Sequence, residues 1–263
     1  MNAKLKLGIF ITLYLLSMII VGIIWIRSIR LQDKLRPRQL IIKVFKPSVE
    51  NLLIQEKDIH KYVQEFYKKD WRKIPLQSLK VSGLESALES IQVVHHSEVY
   101  FDALENLHID VYQRDPLFRV MTPDGDQYYV DIEGKKIPAS INYSARVPVV
   151  TGIETPFQGR DIWARSNSKF KDAFYVVNEI SKDPFIKSLI EQLDIDSQGE
   201  ITLVPKIGYE KIEMGNATEI FEKLDKLKFF YKEGLRYEGW NVYQTLNLKV
   251  KNQVVGVKNI NQS

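Results

Sequence analysis

The side chains of this sequence that could do chemistry are few and scattered. His95 and His96 are adjacent, and neighbours on a strand point to opposite faces, so the two cannot share one ion. His108 and Asp110 fall on one face of an alternating segment, where a cross-strand histidine could join them around a metal. The plainer reading, a solvated polar face, is adopted. Asp124-Gly125-Asp126 has the opening of a calcium loop but lacks the bidentate Glu at the required distance, and Asp-Gly is the commonest hairpin signal. No glycine-rich phosphate loop follows a strand and no Gly-x-Ser-x-Gly occurs. There is no cysteine, which removes disulfides, thiolate metal sites and a cysteine nucleophile together. The expectation is a chain with no catalytic centre, metal, cofactor or small-molecule substrate.

Charge narrows the partners. The chain carries 37 Lys and Arg against 33 Asp and Glu, a net +4. Residues 1–38 hold seven of those bases and one acid, leaving 30 bases and 32 acids, or −2, for the rest. A domain without a positive excess gains nothing general from releasing phosphate counterions, so nucleic acid is not an expected partner. The basic excess suits a membrane surface, where anionic headgroups attract it.

The elements begin with an uninterrupted apolar run over residues 7–26, flanked by Lys4 and Lys6 and by Arg27 and Arg30. As a helix it reaches about 30 Å, the thickness of a hydrocarbon core. It is longer than a secretory signal core and ends in Trp25-Ile26-Arg27 without a small-residue cleavage site, so an uncleaved single span is expected. Arg27, Arg30, Lys34, Arg36 and Arg38 outnumber the bases of the short flank, and the positive-inside rule alone would keep the bulk of the chain cytoplasmic.

Residues 27–38 are charged, have no apolar face and read as a linker. A β-branched run over residues 40–45 predicts a strand closed by Lys46-Pro47-Ser48. Ile59, Tyr62, Val63, Phe66 and Tyr67 predict a helix over about 55–68, and Leu76, Leu79, Leu84, Leu88 and Ile91 a second, interrupted at Ser82-Gly83. Strands follow at Val93, Val94, Val99 and Phe101 and at Leu107, Ile109 and Val111. The order β-α-α-β-β predicts two helices over one face of a three-stranded sheet, whose exposed edge could accept a strand.

Further on, residues 118–121 and 127–132 predict a hairpin about Asp124-Gly125, reversing again at Glu133-Gly134. Phe170, Ala173, Phe174, Val177 and Ile180 predict a helix. Asp183-Pro184 opens another, with Ile186, Leu189, Ile190 and Leu193 inward. Residues 199–207 and 211–214 predict a hairpin about Gly208-Tyr209. Asn216-Ala217-Thr218-Glu219 predicts a capping box for a helix striped by Ile220, Leu224, Leu227 and Tyr231 and ended by Gly234. The last predicted element is a strand over 242–250, with Leu246, Leu248 and Val250 on one face and Asn247 and Lys249 on the other.

This order resembles the FtsQ/DivIB family of bacterial cell-division proteins, and its Bacteroidetes type in particular. The resemblance is carried by Gln113-Arg114-Asp115-Pro116, Tyr128-Tyr129-Val130-Asp131, Tyr143-Ser144-Ala145-Arg146, Phe229-Phe230-Tyr231-Lys232-Glu233-Gly234-Leu235, Gly239-Trp240 and the run over 247–255. It implies an α+β chain with a cytoplasmic tail (1–6), a transmembrane helix (7–26), a linker (27–38), a POTRA domain (39–113) and a C-terminal β domain (114–263). It also implies a single-pass protein of the cell inner membrane with its bulk periplasmic, since long domains cross largely regardless of flanking charge.

The implied function is a non-catalytic scaffold linking early and late division proteins during septum formation. An FtsB/FtsL-like subcomplex would bind through the C-terminal strand and further division proteins through the POTRA module. The expected contact residues are Tyr243, Leu246, Asn247, Leu248, Lys249 and Val250, with Trp240 as an aromatic anchor. Leu246, Leu248 and Val250 could equally pack in the core, and Asn247 and Lys249 could be a solvated face. The rival readings are a POTRA-type assembly factor for envelope proteins and a wall hydrolase or its activator.

Overall fold

The computed structural model describes residues 3–32, 35–45, 53–139, 144–154, 157, 162–163, 168–239 and 242–259. The chain divides into two compact units: the first takes in the described residues up to 45 and 54–112, the second Leu53 and those from 113 onward.

The first unit opens with α1 (Ala3–Gln32). Side chains are described for its residues 11–27, and thirteen large apolar ones, from Ile11 to Ile26, are exposed. Those seventeen positions rise about 25 Å, short of a hydrocarbon core; among the described residues no helix is long and apolar enough to cross a membrane. The side chains of residues 7–10, the rest of the predicted span, lie outside the described set. Within residues 27–38, read from their charge as a linker, the described residues are structured. The helix continues to Gln32, Pro37 is buried, the Leu76 amide donates to the Leu35 carbonyl (3.2 Å), and the Arg38 amide donates to the Glu105 carbonyl (3.0 Å).

Beyond it come β1 (Leu40–Phe45), α2 (Glu56–Tyr67), two 3-10 turns (Trp71–Lys73 and Leu76–Ser78), α3 (Val81–Glu89), β2 (Val94–Phe101) and β3 (Leu107–Gln113). The predicted second helix is therefore shorter. Pro75 cannot continue a helix from the preceding residue, and the segment settles into 3-10 turns until Lys80. The sheet order is β1-β3-β2 with β1 and β3 parallel. Ile59 and Val63 of α2 and Leu84 and Leu88 of α3 pack with Val99, Leu107, Ile109 and Val111, so both helices lie on one face, as the pattern of alternation demands.

Among the described residues, the second unit is built on a nine-stranded mixed sheet. Its strands are β4 (Pro116–Met121), β5 (Gln127–Asp131), β6 (Lys136–Pro138), β7 (Val149–Thr151), β8 (Ile190–Ile195), β9 (Ile201–Pro205), β10 (Lys211–Gly215), β11 (Tyr243–Asn247) and β12 (Val255–Lys258). The order is β12-β11-β10-β9-β8-β7-β4-β5-β6. Helices α4 (Ser168–Lys182), α5 (Pro184–Leu189) and α6 (Ile220–Phe229) bury Phe170, Val177, Ile186, Leu224 and Leu227 in the same core as Phe118, Leu203 and Ile212.

Three predicted features are corrected. The helix opened by Asp183 has only six residues: Asp183 caps it, accepting from the Phe185 and Ile186 amides at 2.8 and 3.2 Å. Ile190 and Leu193 do point inward, but from β8, where a register shift between Ile190 and Gln192 restores a buried residue at the wrong parity. That bulge produces a three-residue spacing that imitates a helix.

The capping box at Asn216 does not form. Glu219 itself stands at the N-cap in a left-handed conformation (φ 49°) without a side-chain cap. The Asn216 Oδ1 accepts from the Thr218 hydroxyl (2.6 Å) and the Lys223 ammonium (3.2 Å). Nor does Gly234 end the helix. The chain passes through a π-helical turn (Phe230–Gly234) and α7 (Leu235–Glu238) to Gly239 at φ 89°. A Cβ at Gly234 would stand 3.0 Å from the Phe230 ring, so glycine is present for contact with that ring.

Gly152 follows β7 at φ 81°, where a Cβ would lie 1.8 Å from the Ile195 carbonyl oxygen. Gly152→Ala should therefore lower stability by about 3 kcal/mol or more, read as a fall in denaturant midpoint.

Candidate functional site

The C-terminal end of the large sheet is pinned by two side chains. Leu246 and Leu248 are wholly buried in the core shared with α6 and Ile212, and β11 itself lies between two neighbours. It runs parallel to β10 (Ile212 opposite Leu246, Glu213 opposite Asn247) and antiparallel to β12 (Leu246 opposite Gly256, Asn247 opposite Val255). The predicted strand over 242–250 is thus shorter and is not terminal. It leaves the sheet after Asn247, turns through Asn252 in a left-handed conformation (φ 59°), and returns as β12.

The expected contact residues separate accordingly. Tyr243 is half-buried: its ring meets Phe230 edge-on at 5.5 Å and lies against Gly256, where a Cβ would come within 2.3 Å of it. The Asn247 amide donates to Glu213 (3.3 Å) while its oxygen accepts from the Lys249 amide (2.8 Å). Lys249 pairs with Glu200 at 2.9 Å, and that hydrogen bond raises its pKa. Val250 is exposed and does not share the buried face of Leu246 and Leu248. Its carbonyl and that of Leu248 each accept from the Lys226 ammonium at 2.5 Å. Trp240 lies outside the described residues.

The residues that the periodicity does not single out are those of β12. Val255 and Val257 are 41% and 53% exposed, on one face by their two-residue spacing, and among the described residues the strand has a sheet neighbour on one side only. Four residues with a glycine among them give only a weak alternation, Val255-Gly256-Val257, and that was the available clue. The opposite end of the sheet is blunter. There β6 has three residues and ends in Pro138, which has no N–H to offer.

In the first unit, β2 is an outer strand whose backbone is already occupied. Glu89 Oε1 accepts from the Ser97 amide (3.2 Å) and Glu85 Oε1 from the Val99 amide (3.3 Å), two amides on the same side of the strand. Glu89 also meets His96 at 2.7 Å, and the Ser97 amide is the largest cause of its lowered pKa.

The histidines take structural partners. His108 Nε2 lies 2.9 Å from Asp102 and its ring stacks on Tyr100 at 5.0 Å. The Tyr100 hydroxyl donates to Asp110 at 3.3 Å. Asp102 also receives the Leu104 and Asn106 amides at 2.8 and 2.9 Å, so it ties the β2–β3 turn. Its carboxyl is held well below the usual range, foremost by the His108 hydrogen bond. Among the described residues, no three His, Cys, Asp or Glu side chains converge as a metal site would require.

A helix-backed mixed sheet that closes on an open strand bearing exposed valines defines an α+β domain suited to taking on a further strand. Residues 115–257, more than half of the chain, match the family model described as FtsQ/DivIB, C-terminal related. The chain belongs to the FtsQ/DivIB family, non-enzymatic cell-division proteins that interact with other division proteins. No curated protein matches it.

Asp102 also sets a pH dependence. Its folded pKa is depressed, so its contribution is present above the ordinary carboxylate value near 3.9 and is lost as pH falls through the folded value. The unfolding midpoint of the first unit should drop below about pH 4, and Asp102→Asn should flatten that drop while lowering the midpoint at neutral pH.

Proposed function

We propose that this chain is a single-pass scaffold of the division machinery that binds its partners outside the cytoplasm through added strands. The observation that carries the reading is the side of β12 away from β11 at Val255 and Val257, where among the described residues no further strand pairs and both valines are exposed. An unpaired strand offers a row of N–H and C=O groups that another chain's strand can satisfy, and flanking side chains then select the partner. The partner favoured by family membership is an FtsB/FtsL-like subcomplex.

Within that reading the earlier contact residues take different roles. Tyr243, Asn247, Lys249 and Val250 line the surface around the added strand, with Trp240 as its aromatic anchor. Leu246 and Leu248 act from beneath, through their burial. The first unit serves as a POTRA module for further division proteins. Its β1 is the more available of the two outer strands, since Glu85 and Glu89 already engage the amides of β2.

Anchoring falls to α1, with residues 1–6 cytoplasmic and the bulk periplasmic at the inner membrane. Its support is the twenty-residue apolar run, the exposure of the large apolar side chains along it, and Trp25 at its end, where interfacial aromatics are enriched.

Val255→Glu/Val257→Glu should weaken capture of an FtsB/FtsL-like complex at least about tenfold, or about 1.4 kcal/mol, and yield filamentous cells. Unchanged capture would overturn the β12 reading. Because the chain has no cysteine, Ser263→Cys should react with a membrane-impermeant thiol reagent in intact spheroplasts; protection there would reverse the topology.

A further inference from the structure

Within the first unit, residues 68–80 carry five bases, Lys68, Lys69, Arg72, Lys73 and Lys80, and one acid, Asp70. All five bases are exposed. They gather where α2 stops at Lys68 in a left-handed conformation (φ 53°) and the chain turns through the first 3-10 segment. Gln64, Lys68, Lys69, Asp70, Trp71 and Arg72 line an open hollow of about 360 Å³. Trp71 is only 4% exposed, with the Arg72 guanidinium 5.6 Å from its ring. Asp70 is engaged within its own turn, accepting from the Arg72 amide at 3.2 Å and pairing with its guanidinium at 3.4 Å. The remaining cations face outward in a part of the chain that is otherwise net acidic.

This turn is fastened to the chain leaving α1 by the bond from the Leu76 amide to the Leu35 carbonyl (3.2 Å). Only Asp33 and Lys34 separate Leu35 from Gln32, the last residue of α1. Three Cα steps therefore hold Leu35 within about 11 Å of Gln32 in any conformation. Gln32 is in turn about 9 Å of helix beyond Ile26, where the apolar run ends. A polar headgroup layer adds about 5–7 Å to each side of the hydrocarbon core, so the basic turn is tethered within reach of it.

From this we infer that the basic turn over residues 68–80 is a docking surface for anionic phospholipid headgroups, a second membrane contact that lays the first unit against the bilayer. The inference rests on α1 being the anchor. Covalent tethering supplies this partner at high effective concentration. A lipid surface suits scattered lysines as a protein cleft would not, because it is a field of charge and demands no fixed geometry.

The test uses the full chain with Ser78→Cys, labelled with a fluorophore and reconstituted into vesicles of phosphatidylcholine alone or with phosphatidylglycerol. Flotation reports α1, and quenching of the label by neutral acrylamide reports the turn. The label should be shielded only with phosphatidylglycerol at low salt, and freed at high salt, where the screening length shrinks to a few ångströms. Lys69→Gln/Lys73→Gln/Lys80→Gln, which spares Lys68 at the helix end and the Arg72–Asp70 pair, should reduce shielding about fivefold per base removed. Arginine at the same three positions should restore it. Equal quenching in both lipids, or shielding indifferent to the three lysines, ends the inference while flotation leaves the anchor standing. Failure to float with phosphatidylcholine sinks the anchor instead. Flotation that then depends on phosphatidylglycerol and on the three lysines would still carry the docking surface, and its absence would end that as well.

Discussion

The burial of Leu246 and Leu248 is the constraint on which the C-terminal end of the molecule depends. Side chains on a strand alternate strictly, so a slip of one residue would send the buried face to solvent and strand both leucines in water. Each fully buried leucine is worth about 1.5–3 kcal/mol, enough to hold β11 in a single register between β10 and β12. Once that register is set, Tyr243 must lie across Gly256, and β12 must present Val255 and Val257 outward. Gly256 stands opposite Leu246 while Val255 and Val257 stand opposite Asn247 and Thr245, so the register that buries the leucine also turns the two valines to the other face.

A comparable constraint governs the other end of the chain. The segment after α1 looks polar and unstructured by composition, yet Pro37 is buried and Leu35 and Arg38 lend their backbones to the first unit. A proline is well suited there, since its fixed φ costs little further entropy on ordering. The described residues from Leu35 to Arg38 are thus tied to the first unit by backbone bonds, where charge alone suggests a loose segment.

Much of the architecture was legible because helices and strands write distinct periods into the sequence. The stripe of Ile59, Val63 and Phe66, the alternation from Leu107 to Val111 and the Asp124-Gly125 turn all mark elements that the structure contains. Failures came where a local device disturbs the period. The shift at Ile190 makes a strand mimic a helix, and the left-handed Glu219 starts a helix without the expected cap. β6 and β7 have three residues and β12 four, below or at the shortest length over which alternation is read. The last predicted strand, over 242–250, ends at Asn247, and nothing local announces that residues beyond Val250 turn back to pair again as β12.

The two glutamates over β2 bear on what that flank of the sheet can take on. A strand with bare amides is a template on which a further strand can stack. By occupying the Ser97 and Val99 amides, Glu85 and Glu89 give that flank of the small sheet an anionic fringe that repels a second copy of itself. A strand arriving at these two amides would first have to displace the carboxylates.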